Sequence, residues 1–195
     1  MASFQPVVLA SRSPRRIDIL NQMGVDHVVM PADIDESPLP NEDPVSYVRR
    51  LALEKARAVR ARVEPSSTVL AADTTVDVGG QILGQPVDEA DSRRMLRLLS
   101  GRTHQVHTGV AVVSAEGESV VVVTSHVTFI EVTDTLLDWY LETGESVGKA
   151  GSYAIQGHGA SLVLATEGSM SNIIGLPKAE TARLLGITPP NSSGK

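Results

Sequence analysis

A short strand that turns directly into a helix, close to the N-terminus, constrains the fold of this chain most. Residues 7–10 form an apolar run typical of a buried strand, and the Ser-Arg-Ser segment after it ends at Pro14. Proline suits the first position of a helix, because its missing N–H has no intrahelical partner there. Apolar residues recur at helical spacing from Ile17 onward. The pattern predicts strand, turn and helix, with Ser13 as the N-cap residue.

The first turn of that helix carries two cations where the helix dipole disfavours them. Arg15 and Arg16 directly follow Pro14, and a positive charge at a helix N-terminus costs roughly 0.3 to 1 kcal/mol. Two interpretations are open at this stage. Either the arginines are solvated or paired with a carboxylate such as Asp18, or they bind a phosphate together with the exposed N–H groups of the helix.

Composition restricts the class of protein. The 195 residues can bury the core of one ordinary domain, predicted at residues 1–187 and followed by a disordered tail at 188–195. Cysteine is absent, which excludes disulfides, thiolate metal sites and cysteine nucleophiles and suits a reducing compartment. No apolar run is long enough to cross a bilayer and no signal peptide is evident, so we expect a cytoplasmic protein.

Charge and aromatic content argue against nucleic-acid binding. The formal net charge is −6, whereas binding to DNA or RNA requires a broad basic face. Two Phe, three Tyr and one Trp provide little material for a platform on which several bases stack. We therefore expect neither a nucleic-acid nor a membrane partner, while a single nucleotide in a pocket remains compatible with the composition.

The remaining chain alternates helical and strand patterns. The predicted elements are a strand at 27–30, a helix from 43 to about 63, a strand at 68–72 leading to a two-glycine hairpin, a helix at 88–99, strands at 104–114 and 119–132, a helix after Thr133, a strand at 161–165 and a helix ending near 185. This order predicts an α/β fold with a mixed, twisted sheet and flanking helices.

Charged side chains stand at several loop positions and element ends. The proline-rich and acidic segment 31–44 must run along the surface, and its carboxylates, Glu36 among them, are either solvated or ligands of a hard metal ion. Lys55 falls on or beside the apolar stripe of the long helix, where it either extends to solvent or points into a cleft. Asp73 directly follows a strand that is apolar enough to be buried on both faces.

These complementary charges suit a triphosphate accompanied by a divalent ion. The polyanion needs several cations, and the ion needs two or three oxygen ligands. A remaining carboxylate can activate water. Two other candidate motifs are not supported. Segment 144–149 has the wrong spacing for a phosphate-binding P-loop. His104 and His107 lie on opposite faces of a predicted strand, which favours structural roles over metal binding.

The chain resembles the Maf family of nucleoside triphosphate pyrophosphatases, which have also been described as septum-formation inhibitors. The resemblance is carried by Leu9-Ala-Ser-x-Ser-Pro-Arg-Arg16, Asp35-Glu36-Ser37, Glu54-Lys55-Ala56, Ala72-Asp73-Thr74, residues 99–104, Lys149-Ala-Gly-Ser-Tyr153, Ile155-Gln156-Gly157 and Gly175-Leu-Pro177. It implies a fold similar to inosine triphosphate pyrophosphatases, with two lobes around a nucleotide cleft, and a homodimer. It also implies Mg²⁺- or Mn²⁺-dependent cleavage of a nucleoside triphosphate into the monophosphate and pyrophosphate.

The resemblance assigns roles to individual residues. Phosphate would be held by Ser11, Arg15 and Arg16, and its charge offset by Lys55 and Lys149. Asp73 would accept the proton, and a metal ion would be held by Glu36 and Asp73. The resemblance links Arg15, Thr74 and Gln156 to the choice of base. These positions match the branch acting on dTTP and UTP rather than the 7-methyl-GTP branch, and modified pyrimidine nucleotides are further candidate substrates.

One departure concerns the substrate site. The family commonly has lysine where this chain has Gln85 before Pro86, so one expected cation is missing, although an amide still donates two hydrogen bonds. The leading hypothesis is a dTTP and UTP pyrophosphatase. The alternative is a non-enzymatic regulator of septum formation that binds a nucleotide or a partner protein.

Overall fold

The computed structural model describes residues 6–187, so the tail expected at 188–195 lies outside the described residues. The strands are β1 Val7–Leu9, β2 His27–Val29, β3 Val69–Val78, β4 Gln81–Leu83, β5 Thr103–Ser114, β6 Gly117–Phe129 and β7 Val163–Glu167. The α-helices are α1 Pro14–Gln22, α2 Pro44–Arg60, α3 Glu89–Leu99, α4 Asp134–Glu142, α5 Met170–Ile174 and α6 Lys178–Leu184. Two 3-10 turns span Ala150–Ser152 and Gly157–Leu162.

The seven strands form one mixed sheet, in which the edge of β3 is divided. The order is β2-β1-β3-β5-β6-β7, and β1 is parallel to both of its neighbours. One edge of β3 pairs with β5 from Val69 to Asp77. The other edge pairs with β1 at Val69 and Leu70 and with β4 from Val76 onward. Between these two pairings, residues 71–75 of β3 face an opening in the sheet.

Two groups of helices pack on either side of this opening and give the molecule its two lobes. Near β1, α1 and α6 cover one face of the sheet and α2 covers the other. Beyond the opening, α3, α4 and the segment 150–162 pack around β4 and the far ends of β5 and β6. The sheet itself is continuous through both lobes, because β3, β5 and β6 extend from one to the other.

Helix α2 is set deeply against the sheet. Its N-cap Asp43 accepts hydrogen bonds from the backbone N–H groups of residues 45 and 46, and Pro44 occupies the first helical position. Gly109 of β5 lies against the helix so closely that an added Cβ would overlap the carbonyl group of Val48. This approach places Lys55, which is buried, under the opening in β3.

The predicted α/β class, with a mixed sheet and flanking helices, is confirmed. Two local predictions need correction, and one short helix was not predicted. Ser13 stands at the N-cap position of α1 but its side chain makes no capping hydrogen bond, because the cap site lies within a turn organised by the Ser11 hydroxyl. The last strand begins at Val163 instead of 161, because a 3-10 turn extends to Leu162. Helix α5 was not predicted, since five residues are too few to show periodicity.

The single-domain expectation for residues 1–187 remains a prediction. Within residues 6–187, no helix combines the length and the apolar character needed to span a bilayer.

His104 is buried in the core of the second lobe. Its Nε2 lies 2.8 Å from the Tyr153 hydroxyl, and its ring packs edge-on against Phe129 and Tyr153. Burial lowers the pKa of His104 to about 4, so the ring is neutral in the folded protein at pH 7. As predicted, His107 lies on the opposite face of β5, where it contacts Thr124 and Asp77.

We expect Gly109→Ala to lower the free energy of unfolding by about 1 to 3 kcal/mol, because α2 must move away from the sheet. Urea denaturation measures the change. Gly84→Ala is the matched control, since a Cβ at that position meets no atom within 4 Å. Equal stability of the two variants would mean that the close approach of α2 is not needed.

Stability should depend on pH through His104. A histidine in an unfolded chain has an ordinary pKa of about 6.5, whereas burial lowers the pKa of His104 to about 4 in the folded protein, so the unfolded chain binds the proton first as the pH falls. The free energy of unfolding should therefore fall by about 3 kcal/mol between pH 6.5 and pH 4 from this residue alone. In His104→Gln this part of the pH dependence should be absent. The free energy of unfolding of both proteins is measured by urea denaturation at each pH. If it fell equally with pH in His104→Gln and in the wild type, the prediction would be contradicted.

Candidate functional site

A cleft of about 880 Å³ opens at the divided edge of β3. Its volume is in the range of small-molecule sites. Every site residue named from the sequence lines this cleft: Ser11, Arg15, Arg16, Glu36, Lys55, Asp73, Thr74, Gln85, Lys149 and Gln156. Asp73 and Thr74 project to opposite faces of β3. Both nevertheless reach the cleft, because the edge of β3 opposite β5 is unpaired at these two residues.

The acidic part of the cleft is organised by one lysine. Lys55 Nζ lies 2.7 Å from Asp73 Oδ1 and 2.8 Å from Glu36 Oε2. Asp73 is 6% exposed, and burial raises its pKa, although the positive charges of Lys55 and Arg16 oppose this effect. Of the two predicted possibilities for Lys55, the structure therefore shows the one in which it points into a cleft.

Two carboxylate oxygens that contact the same nitrogen must lie close together, and this donor pair fits a hard divalent ion. Magnesium is typically held by one or two carboxylates, with phosphate oxygens and water completing the shell. Across residues 6–187, no group of three or more His, Asp or Glu side chains could hold a metal ion. Glu36 and Asp73 would accordingly supply the protein ligands, with the substrate supplying others.

The loop that carries Glu36 is fastened to α2. Tyr47 Oη donates to the Glu36 carbonyl oxygen at 2.9 Å. Arg50 donates to both oxygens of Glu42, at 2.6 and 2.7 Å, and to the Ser37 carbonyl oxygen at 3.1 Å. Sequence reasoning missed these two residues, because a tyrosine and an arginine on an amphipathic helix give no sign of which loop they will contact.

The first turn of α1 forms the basic part of the cleft. The Arg16 guanidinium donates from Nε to the Gly175 carbonyl oxygen at 2.9 Å, from Nη1 to Ser11 Oγ at 3.1 Å and from Nη2 to Thr74 Oγ1 at 3.1 Å. Arg15 donates from Nε to the Ile174 carbonyl oxygen at 3.2 Å. All of these acceptors are uncharged, so hydrogen bonds orient both arginines without neutralising them.

The positive charges in this part of the cleft are not in contact with carboxylates, although the charges of Asp73 and Glu36 partly offset the lowering of the Arg16 pKa by burial. In the part of the chain that the structure describes, neither arginine of α1 forms an ion pair with a carboxylate, and nor does Lys149. Burial lowers the pKa of Arg15 and of Lys149, and the charge of Arg15 lowers the pKa of Lys149 further. An anion placed among these groups would remove both penalties.

The second lobe supplies the opposite wall. Gln85 follows β4, and Lys149 and Gln156 come from the segment before β7. Glu145 anchors that segment, accepting hydrogen bonds from the backbone N–H groups of residues 158 and 159 at 3.1 and 2.6 Å. Gly157 has a φ of +85°, and an added Cβ would overlap the Glu145 carboxylate. Segment 144–149, whose spacing does not fit a P-loop, therefore holds the loop that carries Gln156.

Two polar residues behind the cleft were not predicted from the sequence. Thr108 and Asn172 are fully buried. The Thr108 hydroxyl is hydrogen-bonded to the Thr74 hydroxyl across β3 and β5, and it also donates to the backbone carbonyl oxygen of Asn172 in α5. Apolar lining was also missed, including Ile82, Val106 and Ile155. The available signal was the polar residue Asn172 within the apolar pattern before the last helix, but the sequence does not indicate what it contacts.

Comparisons with known proteins relate the chain to one family. The family model described as Maf-like protein matches residues 6–187. The dTTP/UTP pyrophosphatase of Anaeromyxobacter dehalogenans strain 2CP-C is 54% identical over 92% of this chain and 92% of its own length. The dTTP/UTP pyrophosphatase of Myxococcus xanthus is 50% identical over 92% and 90%. Among solved structures, the Staphylococcus aureus Ham1 protein aligns with 67% of this chain and 73% of its own, at 20% identity and a TM-score of 0.47. By the family model and these identities, the chain belongs to the Maf family.

Proposed function

We propose that this protein hydrolyses dTTP and UTP to the nucleoside monophosphate and pyrophosphate. The observation that carries the proposal is a buried carboxylate, Asp73, in the same cleft as two oriented arginines, Arg15 and Arg16, that form no ion pair with a described carboxylate. A polyanion with a hydrolysable bond is the ligand that such a site fits. The relatives named dTTP/UTP pyrophosphatases support the choice of substrate.

The arginines of α1 and the lysines bind the phosphate chain. Arg16 is held by three neutral acceptors and keeps further N–H groups for the ligand. Ser11 Oγ accepts from Arg16 and from the Ser13 backbone N–H, so its own hydrogen is available to a phosphate oxygen. Lys149 contributes charge from the opposite lobe. These groups orient the α phosphorus and stabilise the charge that develops on the leaving pyrophosphate.

Asp73 acts as the general base. One of its oxygens accepts from Lys55, and the carboxylate removes a proton from a water molecule that attacks the α phosphorus. A bond forms between the water oxygen and this phosphorus, and the bond to the oxygen that bridges the α and β phosphates breaks. The bridging oxygen leaves with pyrophosphate. Burial favours this role, because a raised pKa makes Asp73 a stronger base.

A divalent cation, Mg²⁺ or Mn²⁺, is part of the proposal. When bound it would neutralise phosphate charge, and Glu36 and Asp73 would hold it. Lys55 then remains the counterion that keeps the two carboxylates together, since its Nζ contacts both.

Base selection is assigned to Arg15, Thr74 and Gln156, which remain predictions for that role. Arg15 and Gln156 stand where the cleft meets a second groove of about 510 Å³, a position suited to sensing the base. Thr74 instead contacts Arg16 and Thr108. Gln85 lines the cleft as an amide donor in place of the expected lysine.

The cytoplasmic location, the homodimer and the link to cell division remain predictions. A regulator of septum formation would need a binding surface but no buried base. The burial of Asp73 beside a lysine therefore favours the enzyme over this alternative.

Incubation of the protein with dTTP and Mn²⁺ should yield dTMP and pyrophosphate in equal amounts, as measured by anion-exchange chromatography. Release of dTDP and orthophosphate would contradict the proposed site of attack. UTP should behave in the same way, and ATP should be hydrolysed more slowly.

Replacing the base should abolish turnover without abolishing binding. Asp73→Asn preserves shape but cannot accept a proton, so kcat should fall by about 10² to 10⁴-fold. Asp77→Asn is the matched control, on the same strand and face but outside the residues that line the cleft, and its kcat should stay within about threefold of the wild type. Similar losses in the two variants would remove Asp73 from the catalytic role.

A further inference from the structure

A chain of hydrogen bonds runs from Arg16 into the core of the protein. Thr74 Oγ1 accepts from Arg16 Nη2 at 3.1 Å and lies 2.9 Å from Thr108 Oγ1. Thr108 Oγ1 donates to the backbone carbonyl oxygen of Asn172 at 3.0 Å. Thr108 and Asn172 are both 0% exposed. The chain thus connects a cation that lines the cleft to groups that water does not reach.

The direction of every hydrogen bond in this chain follows from its last member. A carbonyl oxygen can only accept, so the single hydroxyl hydrogen of Thr108 is directed at Asn172. Thr108 Oγ1 must then accept from Thr74, which uses the hydrogen of the Thr74 hydroxyl. Thr74 Oγ1 is left with lone pairs only, and these face Arg16 Nη2.

The far end of the chain is held by the sheet. The Asn172 side-chain amide donates to the Val106 carbonyl oxygen and to Ser125 Oγ, each at 3.0 Å. Ser125 Oγ donates in turn to the Ser169 carbonyl oxygen at 3.1 Å, directly before α5. These contacts hold Asn172, and with it the backbone carbonyl oxygen that accepts from Thr108, in a fixed position against β5 and β6.

We propose that Thr108 is a positioning residue for phosphate binding, which holds the Thr74 hydroxyl as a fixed acceptor and thereby sets the orientation of the Arg16 guanidinium. The inference rests on the proposed function for the identity of the ligand. It goes beyond that function because Thr108 does not line the cleft and acts only through Thr74 and Arg16. Thr74 accordingly serves phosphate binding through Arg16.

The central variant is Thr108→Val, which keeps the shape of the side chain and removes its hydroxyl. The dissociation constant for pyrophosphate, measured by calorimetry in the presence of Mg²⁺, should rise about tenfold, and kcat/KM for dTTP should fall by a similar factor. Thr108→Ser restores the hydroxyl and should return both values to within about twofold of the wild type. Thr108→Ala is a second variant that also lacks the hydroxyl, and unlike Thr108→Val it places no methyl group where the hydroxyl was.

A control separates positioning from a general loss of core packing. Thr181→Val makes the same substitution at another fully buried threonine, whose hydroxyl has no hydrogen-bond partner in the described structure. It lies in α6, outside the cleft and the hydrogen-bond chain. Its affinity for pyrophosphate should equal that of the wild type.

The deciding measurement is a double-mutant cycle with Arg16→Lys, which removes the guanidinium that Thr74 orients. If Thr108 acts through Arg16, Thr108→Val should change pyrophosphate affinity less than twofold in the Arg16→Lys background. An undiminished tenfold loss there, or a failure of Thr108→Ser to restore affinity, would overturn the inference. Because calorimetry does not require turnover, a protein that bound pyrophosphate in this pattern but did not hydrolyse dTTP would sustain this inference while contradicting the proposed function.

Discussion

The pairing of β3 is the constraint on which the rest of the structure depends. One edge of the strand is bonded continuously to β5, and the other is shared by β1 and β4, with residues 71–75 left between them. A strand held along one full edge stays straight and rigid even where its second edge is open. The cleft is therefore a gap within a sheet, and its floor is a strand that stays paired with β5 from Val69 to Asp77.

That opening lets one strand serve two chemical environments. Side chains alternate along a strand, so Asp73 faces α2 and meets Lys55, whereas Thr74 faces the opposite side and meets Arg16 of α1. In the first environment, opposite charges lie in contact. In the second, cations are oriented by neutral acceptors and lack described counterions. A nucleotide with a metal ion complements both, because it brings negative charge to the arginines and a cation to the carboxylates.

Much of this site could be predicted from the sequence, for a physical reason. Arg15 and Arg16 oppose the dipole of their own helix, and such local conflicts mark places where a ligand supplies the missing charge. Asp73 directly follows the apolar run 68–72, and the structure continues β3 through it to Val78, so its carboxylate lies within a strand that packs against the core. Helical periodicity puts Lys55 on or beside the apolar stripe of α2 and leaves its direction open, and the structure shows it 8% exposed.

The sequence by itself determined the class of fold and ten polar residues that line the cleft. Strand and helix periodicity and charge placement are local properties, and the family and several of these residues follow from short motifs that resemble those of the Maf family. The tertiary structure alone decided how these residues divide the work. Tyr47 and Arg50 hold the acidic loop, Glu145 holds the Gln156 segment, and Thr108 stands behind Arg16. Each of these contacts joins residues that are separated in the chain. The direction of the hydrogen bond between the Thr74 and Thr108 hydroxyls is fixed only by the Asn172 carbonyl oxygen, which accepts from Thr108. No local pattern encodes that information, since it exists only once β3, β5 and α5 have packed together.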